Sequence, residues 1–166
     1  MILRRKAMEF RKMRRYKQEI TADECALILK NEPRGVLSVI GDEGYPYGVP
    51  MDHLYDEESG HIYFHGAKAG HKIDAIRRCD KASYCVYDNG YRNEGEWALN
   101  IRSVVVFGRI RPVEDEDLKV KICTELCRKF TDDEEYIRHE LLHSGGAVMC
   151  LELVPEHISG KLVKES

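Results

Sequence analysis

The sequence predicts an α+β fold, a small closed antiparallel barrel of six strands with short peripheral helices. Three observations lead there. Six runs rich in β-branched and aromatic residues are joined mostly by tight turns. Helical patterns stand near the start, between two strands and late in the chain. A length of 166 residues fits one domain with a real core and little room for a second. Six strands are too few for an immunoglobulin-type sandwich and suit a barrel closed on itself.

Taken in order, Thr21 with Glu24 three residues later is a capping box that opens a helix through Asn31, and Pro33 ends it. Residues 34–40 form the first strand, Gly41-Asp42-Glu43-Gly44 a turn, and residues 45–55 a second, with Pro46 and Pro50 inside it. Prolines there imply sheet edges or bulges, where backbone groups are free to meet something other than a strand. A third strand, 61–65, leads through a glycine-bounded loop to a helix over 70–79 with Ile73, Ala75 and Ile76 on one face. Strands over 82–87 and 97–112 follow, then helices over 114–130 and 133–143. Gly145-Gly146 breaks the pattern before a last strand over 147–154. Residues 1–18 are set apart as a basic arm, and 19–166 form the single domain.

Hydrophobic residues at 43% and charged residues at 33% suit a globular protein, and no apolar run approaches the roughly 20 residues of a membrane span. The basic start lacks the apolar core of a signal peptide, so the cytoplasm is the expected compartment and the six cysteines are read as reduced, mostly as small buried hydrophobes. The net charge of −3 is polarised: residues 1–17 carry eight Lys/Arg against one Glu. Such an arm suits nucleic acid or a short helix lying on a partner subunit. No nucleic-acid motif accompanies it, so neither nucleic acid nor membrane is an expected partner.

The segment Tyr63-Phe64-His65-Gly66-Ala67-Lys68-Ala69-Gly70-His71-Lys72 carries the chemistry. Ile62 and Phe64 alternate with Tyr63 and His65 on the two strand faces. Beyond them the glycines let backbone N–H groups approach an anion, a helix start adds partial positive charge, and Lys68 and Lys72 add full charges. Alone this suggests a phosphate cradle or, equally, solvated lysines.

The flanking segments Gly44-Tyr45-Pro46-Tyr47-Gly48-Val49-Pro50-Met51, Arg102-Ser103-Val104-Val105-Val106-Phe107-Gly108 and Ile158-Ser159-Gly160-Lys161 occur around it in a telling order. Together the four segments, within residues 19–161, resemble the nitroimidazole-resistance family of the pyridoxamine 5′-phosphate oxidase-like superfamily. The resemblance implies a six-stranded split barrel that dimerises and holds FMN in clefts between subunits. By position, the backbone at Val49, Pro50 and Met51 would meet the flavin ring. Tyr63, Phe64 and His65 would line the ribityl chain and ring edge. Lys68 and Lys72 would bind the phosphate, and Ser103 and Val104 would approach from the partner. Trp97 would cover the ring or pack the dimer seam. His71, at the helix start, is the one catalytic candidate: it would orient substrate or donate a proton, or else simply cap the helix or touch the phosphate.

One competing motif stands near the end. His139-Glu140-Leu141-Leu142-His143 spells H-E-x-x-H, with Glu140 as the general base of a zinc hydrolase. A third ligand at a suitable spacing is missing, so no metal is expected. The alternative is a surface helix with Leu141 and Leu142 inward and the histidines wet. Cys123 and Cys127, spaced i,i+4, would offer two thiolates to a structural metal beside those histidines. The expected function is an FMN-dependent oxidoreductase acting on a small acceptor such as a nitroimidazole or another nitro-aromatic compound. The chain has no G-x-G-x-x-G fingerprint, so NAD(P)H would bind transiently or a protein reductant would serve. The alternative from another class is a non-catalytic module storing flavin, or holding haem through His65 or His71.

Overall fold

The computed structural model describes residues 9–144 and 147–165; residues 1–8 of the basic arm and the Gly145-Gly146 break lie outside them. Four helices, α1 (Ala22–Asn31), α2 (His71–Arg78), α3 (Glu116–Arg128) and α4 (Glu134–Ser144), surround one antiparallel sheet. Its strands are β1 (Arg34–Ile40), β2 (Pro46–Asp52), β3 (Leu54–Tyr55), β4 (Ile62–Ala67), β5 (Lys81–Tyr87), β6 (Leu99–Pro112) and β7 (Val148–Glu165). No helix among the described residues is long and apolar enough to cross a membrane.

The expected count of six strands is corrected to seven. The run over 45–55 is two strands, divided at His53, and the strand order β2-β1-β5-β6-β7-β4-β3 puts them on opposite edges of the sheet. A curled sheet makes this physically reasonable: one chain segment steps from the first edge to the last where the barrel closes. Pro46 and Pro50 therefore sit on an edge strand, as their missing N–H groups require. The last strand also runs further than expected. β7 continues beyond Val154 through Pro155, pairing with β6 across a register shift between Phe107 and Gly108 that absorbs the irregularity.

Alternation fills the barrel. Leu37 and Val39 of β1, Tyr84 and Val86 of β5, Val104, Val106 and Ile110 of β6, and Ile62 and Phe64 of β4 turn inward and are buried. Helix α1 packs on β3, β5, β6 and β7. It begins with the predicted capping box: Thr21 Oγ1 accepts from Glu24 N at 3.2 Å while Glu24 Oε2 accepts from Thr21 N at 2.8 Å. A second, smaller cluster lies outside the barrel, where Ile122 and Leu126 of α3 cover Tyr63 and Cys150.

His53 pins the crossing. Its ring is fully buried, with Nε2 2.6 Å from Leu29 O and Nδ1 2.9 Å from the Tyr84 hydroxyl. The carbonyl partner makes Nε2 the donor, so the one proton of the Tyr84 hydroxyl is shared between Nδ1 and Met51 O, 2.8 Å away. Burial, then the nearby Lys129 charge, lowers its pKa to about 4. Lys129, at the end of α3, donates from Nζ to His53 O at 2.7 Å and Glu32 O at 3.1 Å, tying the helix to the same corner.

The described part of the arm, residues 9–18, lies on its own chain's sheet. Phe10 stacks on His157 (4.7 Å between centroids) and on Phe107 (5.8 Å), and only Tyr16–Gln18 form a helical turn.

Candidate cofactor site

β4 runs into α2 through Gly70, whose φ of 119° belongs to glycine. No side chain caps α2; Ile73 N and Asp74 N turn back to Gly70 O at 2.9 and 3.1 Å. The first turn thus presents its positive end with no side-chain cap, Asp74 being the acidic residue within it. Lys72 folds back over β4: a Cβ at Gly66 would stand 3.1 Å from its Nζ. That Nζ donates to Met51 Sδ at 3.3 Å. The structure thus joins β2, β4 and α2 at one half-buried ammonium, whose pKa is lowered by burial. A thioether is a weak acceptor, so this ammonium is held in place with most of its donor capacity unspent. Such a cradle fits a phosphate monoester.

His71 stacks on Tyr47 with centroids 4.2 Å apart, and its Nε2 lies 3.4 Å from Asp42 N and 3.5 Å from Asp42 Oδ2. Its ring is therefore held toward the turn after β1. Val49 and Tyr47 pack partly against the core, Met51 is buried and Pro50 is exposed. Lys68 is exposed and lines a cavity of about 270 Å³ with Lys119, Cys123, Leu141 and Cys150 among its walls.

The remaining candidates are dispersed within one chain. Phe64 and Val104 are fully buried with side chains in the barrel core, so their outward contribution is main chain only. Tyr63 is buried on the opposite face, its hydroxyl 3.3 Å from Glu152 Oε1. That carboxylate also accepts from Arg111 Nε at 2.7 Å and lies 2.8 Å from His61 Nδ1. Burial pushes the Glu152 pKa upward, but the Arg111 and His61 contacts hold it below the usual range. Ser103 sits on β6 opposite Tyr87 and Lys161, away from Lys72 in the strand order. Trp97 is 74% exposed.

His65 has a neighbourhood the sequence did not reveal. It pairs across the sheet with Cys150, and α3 brings Cys123 over both. The two sulfurs are 3.6 Å apart. Contact with Cys123 raises the His65 pKa. The Cys150 and His65 contacts lower the Cys123 thiol to about 5, while the Cys123 contact and burial raise that of Cys150. No spacing rule links positions 65, 123 and 150; only the β4–β7 register and the docking of α3 bring them together.

On α4 the H-E-x-x-H histidines do share a face, their rings stacked 4.0 Å apart, with His143 Nδ1 2.9 Å from His139 O. Among the described residues no group of three or more His, Cys, Asp or Glu is placed to hold a metal ion. Leu141 is half-buried, but Leu142 is 78% exposed, which corrects the expectation that both pack inward: consecutive helical residues stand about 100° apart, and the α3 contact reaches only one. Cys123 turns to Cys150 instead of toward those histidines.

A family model described as pyridoxamine 5′-phosphate oxidase matches residues 21–162. No curated protein matches in sequence. Among solved structures, a Bacteroides thetaiotaomicron protein proposed to act in 5-nitroimidazole antibiotic resistance superposes with a TM-score of 0.73 at 18% identity, over 89% of this chain and 87% of that one. An FAD-binding protein from Mesorhizobium loti gives 0.66 at 21%, covering 88% and 97%. The flavocytochrome Anf3 from Azotobacter vinelandii gives 0.68 at 23%, covering 91% and 72%. At these identities the superpositions establish a shared fold. With a family match over 21–162 and the curled antiparallel sheet it predicts, the chain belongs to the pyridoxamine 5′-phosphate oxidase family.

Proposed function

We propose that the protein is an FMN-dependent oxidoreductase that reduces a small acceptor such as a nitro-aromatic compound. The observation that carries the reading is Lys72: an ammonium held over Gly66, at the uncapped start of α2, with the weakly accepting Met51 thioether as its hydrogen-bond partner. A bound flavin would supply the redox chemistry. The chain's own work is to hold and orient it. Lys72, with Lys68 four residues before it in the chain, would take the phosphate. The main chain of Val49 and Pro50 on edge strand β2 would meet the polar ring edge, with Met51 beneath, and His65 and the outer main chain of β4 would flank the ribityl chain. His71, held by Tyr47 and Asp42, serves as a positioning residue for the helix start in this reading.

Ser103 and Val104 are distant from Lys72 in the strand order of one chain, so a complete site calls for a second copy, and we take the working unit to be a homodimer with FMN between subunits. NAD(P)H or a protein reductant would bind transiently. Flavoproteins of the same fold that carry FAD, and others that carry haem, supply the competing cofactors. For haem, both candidate imidazoles are already engaged, His71 by Tyr47 and Asp42 and His65 by Cys123.

The test is the absorption spectrum of the purified protein, followed by identification of the released cofactor and titration with FMN. Flavin bands and tight FMN binding are expected. Lys72→Ala should weaken FMN affinity by about 1–3 kcal/mol through loss of a charge-assisted phosphate contact. A Soret band without flavin bands, or unchanged FMN affinity in the variant, would overturn the assignment. Steady oxidation of NAD(P)H with a nitro-aromatic acceptor separates an enzyme from a storage module.

A further inference from the structure

The cysteine pair under α3 is given no role in the flavin reading, although His65 and Lys68 beside it are, and its surroundings are those of a reactive thiol. Cys150 is buried on β7 directly opposite His65 on β4. Cys123, half-buried on α3, lies with its sulfur 3.6 Å from that of Cys150 and with the His65 imidazole against it. Both thiols border the cavity of about 270 Å³, whose wall also carries Lys68, Lys119 and Glu116. Lys119 Nζ is paired with Glu116 at 2.7 Å, and Lys119 O is 3.9 Å from Cys150 Sγ. Two geometric observations therefore converge, two thiols in contact and a cavity that both of them border, and the His65 imidazole beside them favours a thiolate.

We propose that Cys123 and Cys150 form a peroxide-responsive dithiol, in which Cys123 attacks the oxidant and Cys150 resolves it to a disulfide.

The order of roles follows from the environment. Cys123 faces the cavity, and its thiol is lowered by Cys150 and His65, whereas Cys150 is nearly inaccessible and raised. In the first step the Cys123 thiolate sulfur attacks one oxygen of a hydroperoxide. The S–O bond forms, the O–O bond breaks, and the departing alkoxide or hydroxide takes the proton held by His65. Cys123 is then a sulfenic acid. In the second step the Cys150 sulfur attacks the Cys123 sulfur. The S–S bond forms, the S–O bond breaks, and the hydroxide leaves as water with the Cys150 proton. The two thiols lose two electrons, and the peroxide becomes an alcohol or water plus one further water. An external dithiol reverses the change by exchange.

A contact of 3.6 Å must close to the roughly 2.05 Å of a disulfide, a change within the reach of side-chain rotation and a small shift of α3. The bond would tie α3 to β7 across the strand that carries His65. The other four cysteines serve as internal controls, since all six are free thiols.

The experiment treats the purified full-length protein with stoichiometric hydrogen peroxide and maps its thiols by alkylation and peptide mass spectrometry. A Cys123–Cys150 linkage, reversed by dithiothreitol, is the expected product. In Cys150→Ser the same treatment should leave a sulfenic acid on Cys123 that a dimedone probe captures. Cys123→Ser should slow peroxide consumption by roughly tenfold or more. If Cys123 and Cys150 remain free in the wild-type protein while Cys79 or Cys127 is oxidised, the proposal fails. It fails equally if Cys123 over-oxidises at the same rate with and without Cys150. The wild-type map needs no variant to fold.

Discussion

At the scale of single residues, His53 and Cys123 show how burial and contact reset side-chain chemistry. The folded His53 titrates at about 4 against the usual 6.5, so the neutral ring is the form that the fold holds. The unfolded chain therefore binds the proton first as pH falls. Stability contributed by neutral His53 is complete above about pH 6.5 and is lost progressively toward pH 4, at most about 3 kcal/mol. Denaturant unfolding across that window should show a steep acid slope, and His53→Gln, though less stable throughout, should show a shallower one. An unchanged slope would place the acid sensitivity elsewhere. For Cys123, lowered to about 5, alkylation by iodoacetamide should stay fast well below the ordinary thiol range near 8.5. His65→Gln should move the midpoint of that pH profile upward, an effect that a merely packed imidazole would not produce.

At the scale of elements, the caps and the bulge carry the testable energy. Thr21 and Glu24 satisfy two N–H groups at the start of α1, and Thr21→Ala should cost about 1 kcal/mol in chemical denaturation. Gly108 lies where β6 and β7 change register, and a Cβ there would drive into the carbonyl of Val154, which is backbone and cannot swing away. Gly108→Ala should cost about 2–3 kcal/mol, and a silent substitution would mean the two strands separate more easily than their pairing suggests. The same elements show how far local pattern reaches. The α1 capping box, the β1 run and the β4-loop-α2 sequence were legible because each is specified within a few residues. The division at His53 was not. Residues 45–55 read as one extended run, and nothing local says that its second half pairs at the other edge of the sheet.

At the scale of the whole molecule, the outer face of β6 and β7 bears Val105 and Phe107 beside His157 and Ser159, with Phe10 laid across it. Trp97 and Tyr87 are exposed, at 74% and 61%. Apolar surface of this kind suits the paired chains that the flavin reading calls for. Light scattering of the purified protein should give the mass of two chains with one flavin bound per chain, and a flavin-loaded monomer would contradict the shared cleft. The candidate site was legible only in part. Met51, Gly66 and Lys72 come from sequence motifs and do meet in space. Ser103 and Val104 lie on β6, apart from that cluster in the strand order, as the proposed cleft between two subunits would leave them.

The sequence by itself determined the class of fold and the family resemblance, and it picked out the segment proposed as an anion cradle, since these rest on alternation, capping and short motifs whose physics is local. Only the tertiary structure decided that the sheet has seven strands closing at a buried neutral histidine. It alone brought Cys123, Cys150 and His65 into contact. Both depend on strand register and helix docking, and those are settled by the packing of residues far apart in the chain, which no window of sequence contains.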